Sequence, residues 1–120
     1  MKIYIAGPMR GYPEFNFPTF RRVAKILRDA GHTVFSPAER DCERHGTDIS
    51  KGNITGSEAE ATTVHGFDLR VALGEDLAWI CAHAEGVAML SGWEKSKGAI
   101  AEKAAGVALG LKIGTWEWFL

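Results

Sequence analysis

The fold of this chain is decided by the stretch IYIAGP, residues 3–8. Four apolar residues follow one another without alternation, and a Gly-Pro pair ends the run, which is typical of a strand buried on both faces of a parallel sheet. Outward from it, residues 32–36, 86–90 and 111–113 predict three further strands. Apolar residues at helical spacing predict a first helix capped by Asn16, and further helices over 66–83 and 96–110.

This alternation of strands and helices predicts one α/β domain over residues 1–120, with a parallel sheet of four to five strands and helices on both faces. Residues 38–64 have almost no apolar pattern. We expect a long loop there, either a cover over an active site or a disordered segment, with a short helical turn at most over 57–61. Ligands of such sheets bind beyond the carboxyl ends of the strands, so function is expected in loops 7–11, 36–39 and 91–98.

Composition disfavours polymer and membrane partners. The 120 residues contain 14 basic and 15 acidic side chains, which gives no electrostatic footprint for nucleic acid or an anionic membrane. No apolar run approaches the roughly 20 residues that span a bilayer, and the first apolar segment is too short for a signal peptide. Cys42 and Cys81 form no disulfide framework. We therefore expect a cytoplasmic protein with reduced thiols and a small-molecule partner.

Two of these loops have the chemistry of an anion site. Gly7 and Gly11 flank Arg10, and glycine lets backbone approach a ligand while arginine binds phosphate or carboxylate in a planar fork. The alternative is a tight turn with a solvated arginine. Ser96 and Gly98 stand at a predicted helix start, where free N–H groups hold phosphate, although Ser96 as a simple helix cap would also account for the pattern. Triphosphate and dinucleotide glycine motifs are absent, which leaves a monophosphate open.

Two carboxylates could act on a sugar. Glu102 lies on the last long helix, and its neighbours one turn away are glycine or alanine, so a ligand can approach it closely. Asp76 lies at the border of the apolar stripe of the preceding helix. Two carboxylates near one sugar are what glycosidic cleavage needs. The alternatives, a solvated glutamate and a salt-bridged aspartate, stay open at this point.

Two weaker patterns complete the candidates. Cys42 and His45 form a single Cys-x-x-His pair, which is too few ligands for zinc, so no metal site is expected. Tyr12, Phe15 and Phe17 follow the first loop closely. They are either core residues or a surface on which a flat base stacks.

Three segments resemble the nucleoside 2-deoxyribosyltransferase superfamily, in particular its 2′-deoxynucleoside 5′-phosphate N-hydrolases and CMP-type N-glycosidases. They are IYIAGPMRG at residues 3–11, EDLAWI at 75–80 and SKGAIAE at 96–102, in that order. The tract at residues 90–98 is most similar to a branch common in phages and bacteria. The resemblance extends over nearly the whole chain and implies a Rossmann-like (flavodoxin-like) sheet that assembles into homodimers or larger homo-oligomers.

The resemblance also implies roles for individual residues. Glu102 matches the nucleophile that takes the deoxyribosyl group as a covalent intermediate. Asp76 matches the carboxylate that assists at the base and sugar. Tyr4 and Arg10 match the first-strand tyrosine and the following arginine that line the site.

The phosphate site and the reaction follow from the same resemblance. Ser96 and Gly98 match the loop that receives a 5′-phosphate, whereas Pro8 stands where the N-hydrolases tend to have a serine. We expect an N-glycosidase that hydrolyses a (deoxy)nucleoside 5′-monophosphate without a metal or organic cofactor. One alternative is a nucleoside 2-deoxyribosyltransferase, in which a second base replaces water. Another, of a different class, is a non-catalytic module that binds or senses a nucleotide.

Overall fold

Four parallel strands and five α-helices make up the fold, in a computed structural model that describes residues 1–120. The strands are β1 (Lys2–Ala6), β2 (Thr33–Phe35), β3 (Gly86–Met89) and β4 (Lys112–Thr115). The helices are α1 (Phe17–Asp29), α2 (Pro37–His45), α3 (Glu58–His65), α4 (Leu69–His83) and α5 (Lys97–Ala108). None of the helices combines the length and the apolar character that crossing a membrane requires.

The sheet has the order β2-β1-β3-β4, with every neighbouring pair parallel. Side chains alternate along its central strands, so that Ile3 and Ile5 pack with α1 in one core cluster. Tyr4 and Ala6 point to the opposite face, where they pack with residues of α4 and α5. The predicted α/β domain with a Rossmann-like parallel sheet and helices on both faces is therefore confirmed.

The prediction of a long loop over residues 38–64 is wrong, because two helices lie in it. α2 begins with Pro37 in its first turn and ends at Gly46, whose φ is +68°. Its buried residues are Pro37, Ala38 and Asp41, which are small or polar and give no apolar stripe. α3 begins where a short turn was expected, since Ser57 caps it by accepting the N–H of Glu60 at 3.1 Å.

Two helix starts also differ from the sequence-based expectation. α4 begins at Leu69 because the carboxylate of Asp68 accepts the backbone N–H of Arg70 at 2.9 Å. Asn16 precedes α1 as predicted, but it has a φ of +62° and its side chain makes no capping bond. Its amide instead donates to the carbonyl oxygen of Pro8 at 3.1 Å.

The backbone between β1 and α1 is unusual at residues 14–16, which have φ values of 50°, 52° and 62° without being glycine. Such left-handed conformations persist only where surrounding contacts impose them. Here the N–H of residue 14 donates to the carbonyl of Asn53 at 2.7 Å, and Gly11 donates to Gly56 at 3.0 Å. A Cβ on Gly56 would lie 2.3 Å from the carbonyl oxygen of Tyr12. The segment before α3 therefore holds this turn closely.

Candidate functional site

A cavity of about 400 Å³ opens beyond the carboxyl ends of the strands. Its walls come from the loop after β1, the first turns of α2 and α5, and one side of α4. All three loops in which the sequence predicts function contribute to it, through residues 7–10, Pro37 and residues 95–98. This position agrees with the general location of ligand sites in open parallel sheets.

Asp76 on α4 and Glu102 on α5 both line this cavity and are only 6% exposed. Tyr4 lies beneath them in β1, fully buried, and its hydroxyl donates to Oε2 of Glu102 at 2.6 Å. The tyrosine ring stacks on Phe35 with centroids 5.6 Å apart, which fixes its position. Oδ1 of Asp76 is buried without any hydrogen-bond partner. Because buried polar atoms are rarely left unpaired, this oxygen still requires a hydrogen-bond partner, either a water or bound molecule or a proton of its own.

Burial controls the charge of this pair. It raises the pKa of Asp76 to about 7, and the negative charge of Asp41 acts in the same direction. Burial also raises the pKa of Glu102 well above its usual range, reinforced by the charge of Asp76 and opposed by the hydrogen bond from Tyr4. Because the charge of Asp76 changes the pKa of Glu102 in this low-dielectric site, the two carboxyl groups do not ionise independently. Near neutral pH the pair can therefore supply a proton donor and a carboxylate together.

Asp41 is a third carboxylate of the cavity, and it is absent from the sequence-predicted site. It lies on α2, is 3% exposed, and accepts a hydrogen bond on Oδ1 from Nη1 of Arg44 at 2.8 Å. Arg44 is also held by Glu75, from its Nε at 3.1 Å. Burial raises the pKa of Asp41, while the contact with Arg44 favours its charged form. The sequence indicates Asp41 as a site residue only once α2 is known to be a helix, because Asp41 then lies one helical turn after Pro37.

A basic rim surrounds the entrance, formed by Arg10, Lys95 and Lys97. Arg10 lies where the sequence predicts a ligand contact, but its Nη1 donates to Oε2 of Glu58 at 2.9 Å. This pair is partly exposed, since the side chains are 46% and 33% accessible. Exposed ion pairs contribute little stability, so an incoming anion can compete with Glu58 for the guanidinium.

The predicted phosphate loop has a structural role as well as a place in the cavity. Ser96 caps α5, because its Oγ accepts the N–H of Ala99 at 3.2 Å, and it also lines the cavity. Gly98 lines the cavity with open space where a Cβ would be, the nearest atom being Oγ of Ser96 at 4.0 Å. Gly7 also contributes to the wall, yet its Cβ would lie 2.7 Å from the side chain of Leu90. Gly7 is thus required by packing, whereas Gly98 leaves room beside the helix terminus.

The remaining wall is largely apolar and aromatic. Tyr12, Phe15, Phe17 and Phe67 line it, and we call these four residues the aromatic wall. Phe15 and Phe17 also belong to the hydrophobic core. The interpretation as core residues is therefore confirmed for Phe15 and Phe17, and base stacking on the aromatic wall stays a prediction. Flat ring systems find favourable contacts on surfaces of this kind.

The pair Cys42 and His45 does not line the cavity. No group of three or more His, Cys, Asp and Glu side chains is arranged to hold a metal ion. Cys42 and Cys81 are free thiols. The carboxylates, the basic rim and the aromatic wall thus define the candidate site.

Comparison with known proteins gives one match. Residues 1–115 match the model of a family described as a domain of unknown function, DUF4406. No curated protein and no solved structure matches the chain.

Proposed function

The chain belongs to the DUF4406 family, and we propose that it is an N-glycosidase that hydrolyses a 2′-deoxynucleoside 5′-monophosphate to free base and sugar phosphate. The observation that carries this proposal is that Asp76 and Glu102 line one cavity, both buried, with an unpartnered oxygen on Asp76. Cleavage of a glycosidic bond needs two such carboxyl groups, one as nucleophile and one for proton transfer. The resemblance of residues 3–11, 75–80 and 96–102 to the nucleoside 2-deoxyribosyltransferase superfamily supports the same activity.

In the first step Oε1 of Glu102 attacks C1′ while the bond from C1′ to the base nitrogen breaks. Oε2 is engaged by the hydroxyl of Tyr4, which leaves Oε1 for this attack. Protonated Asp76 transfers its proton to the departing base. Burial raises the pKa of both carboxyl groups, so the pair retains a proton near neutral pH. In the reactive form this proton is on Asp76, and the hydrogen bond from Tyr4 stabilises the ionised Glu102.

In the second step water attacks C1′ of the glycosyl ester and gives its proton to Asp76. The bond from C1′ to Glu102 breaks, which regenerates the carboxylate and releases the sugar phosphate. Neither of these two steps requires a cofactor. If a second base takes the place of water, the same groups perform base exchange.

The basic rim is suited to the 5′-phosphate. The first N–H groups of α5 have no intrahelical acceptor, and the helix terminus adds partial positive charge. Arg10 would exchange its partly exposed ion pair with Glu58 for a charge-assisted bond to phosphate, which the guanidinium can bind in bidentate fashion. The proposal also includes a cytoplasmic enzyme that assembles as a homodimer or larger homo-oligomer, as the resemblance implies.

The test is incubation with the four common deoxynucleoside monophosphates and the matching nucleosides, with free base measured by liquid chromatography. We expect base release from a monophosphate and much less from its nucleoside. Glu102→Ala should abolish turnover while calorimetric binding persists, and Glu94→Ala, on an exposed side chain outside the cavity, should retain activity. Base exchange on addition of a second base would indicate a transferase. Binding without turnover would favour a nucleotide-binding module, and neither binding nor cleavage would refute the proposal.

A further inference from the structure

Asp41 has no part in the proposed chemistry, and we infer that it selects the base. In this inference, which rests on the proposed function, Asp41 accepts a hydrogen bond from an exocyclic amino group of the bound nucleobase. The substrate is then a nucleotide with an amino-bearing base, preferred over the counterpart that lacks this group.

The geometry leaves one oxygen of Asp41 available. Its Oδ1 accepts from Arg44 at 2.8 Å, whereas Oδ2 has no hydrogen bond to any protein group. Asp41 is 3% exposed and lines the cavity, so Oδ2 has to find its donor in a bound molecule or in water. Oδ2 is not fully enclosed by protein, so a ligand in the cavity can reach it, and a ligand that displaces its water without donating a hydrogen bond leaves it unpaired at a cost.

Arg44 favours the charged form of Asp41, against the effect of burial, without competing for the ligand. Its guanidinium is held in place by Glu75 through bonds of 3.1 and 3.2 Å, and its side chain is only 14% exposed. Arg44 does not line the cavity, so the group presented to a ligand is the carboxylate alone. An ionised carboxylate can only accept hydrogen bonds. An oxo group at the same place would meet an acceptor and leave both oxygens unpaired.

The division of the cavity assigns Asp41 to the base rather than to the phosphate or the sugar. A phosphate is repelled by a carboxylate and is suited to the basic rim. The sugar carbon is the target of Glu102 and Asp76. Asp41, on α2, lies near enough to Asp76 for its charge to act on that carboxyl, which in the proposed reaction assists the departing base. The ring of the base can pack on the aromatic wall, which supplies apolar area and few polar groups. Asp41 is then the acidic group left to bind the polar edge of the base.

The experiment compares kcat/KM for matched substrate pairs: dCMP with dUMP, dAMP with dIMP, and dGMP with dIMP. In the pair that contains the best substrate, we expect the wild type to favour the amino-bearing member by about tenfold or more. Asp41→Asn should reduce this ratio to about threefold or less, because an amide can both donate and accept. The variant should fold, since Arg44 keeps its bonds to Glu75. Glu39→Gln is the matched control, on the same helix and paired with Arg28 outside the cavity, and should leave the ratio unchanged.

The possible outcomes distinguish a failure of the base-selection inference from a failure of the proposed reaction. If the wild type releases base from both members of every pair at equal rates, or favours the oxo member, the inference is overturned while the N-glycosidase proposal stands. An unchanged ratio in Asp41→Asn, with all rates lowered equally, would also overturn it and make Asp41 a positioning residue. If no substrate is cleaved, the proposed function fails. Calorimetric titration of the wild type with the same pairs then decides base selection by itself, with equal affinities overturning it.

Discussion

Replacing Asp76 with asparagine should remove a large part of the pH dependence of stability in this protein. Burial raises the pKa of this carboxyl from 3.8 to about 7, so the folded protein binds the proton more tightly than the unfolded chain does. The resulting stabilisation is complete below about pH 4 and is lost as the pH rises to about 7. Between pH 5 and pH 8, this shift lowers the free energy of unfolding by about 2.5 kcal/mol. An asparagine cannot titrate, so this loss should disappear.

The assay is urea denaturation at pH 5, 6, 7 and 8, followed by the fluorescence of the four tryptophans. With Glu102→Gln present in both proteins, so that the coupled carboxyl does not titrate, the gap between Asp76→Asn and its parent should shift in favour of the asparagine variant by about 2.5 kcal/mol across this range. Glu94→Gln, at an exposed position outside the cavity, should run parallel to the wild type. Curves with and without Asp76→Asn in the Glu102→Gln background that stay parallel within about 0.5 kcal/mol, the usual size of a surface substitution's effect, would refute the reasoning about buried charge.

Four further substitutions probe the packing and hydrogen bonds of the site. Gly7→Ala should lower the free energy of unfolding by about 1–3 kcal/mol through steric overlap, as measured by urea denaturation. Gly98→Ala, which has open space for its methyl group, should instead keep or raise stability but increase KM, because the methyl group enters the cavity. Ser96→Ala should reduce thermal stability by about 1 kcal/mol through loss of a helix cap, and an unchanged Tm would contradict that role. Tyr4→Phe removes the bond that favours ionised Glu102, so the acidic limb of the pH profile of kcat/KM should move to higher pH.

Much of the fold could be predicted because the patterns that indicate a buried strand and an amphipathic helix each lie within a short stretch of sequence. An unbroken apolar run marks β1, and the apolar stripe of α1 recurs at helical spacing. α2 carries neither signal, since its buried side chains are Pro37, Ala38 and Asp41. What holds α2 against α4 includes ion pairs to Glu75, which lies 31 residues beyond Arg44. Contacts between residues so distant in sequence leave no periodic pattern, and the helix was therefore expected to be a loop.

The candidate site could be predicted in its residue types but not in its arrangement. Asp76 and Glu102 stand out because each is a charge beside apolar or small neighbours on a helix. Their placement in one cavity depends on how α4 and α5 pack on the sheet. The bond of Arg10 to Glu58 joins residues 48 apart, and no spacing rule indicates it. Asp41 was missed because the helix that carries it was missed.

The left-handed turn at residues 14–16 has a consequence for how the specificity of this protein can change. Backbone conformations of this type cost about 1–3 kcal/mol per residue, and here they place Phe15 at the edge of the cavity. Hydrogen bonds to the carbonyl oxygens of residues 53 and 56 maintain them, although neither residue lines the cavity. The segment before α3 thus determines the shape of part of the binding surface. Insertions or exchanges in that segment would alter which molecules are accepted while the acidic groups on α4 and α5 keep their positions.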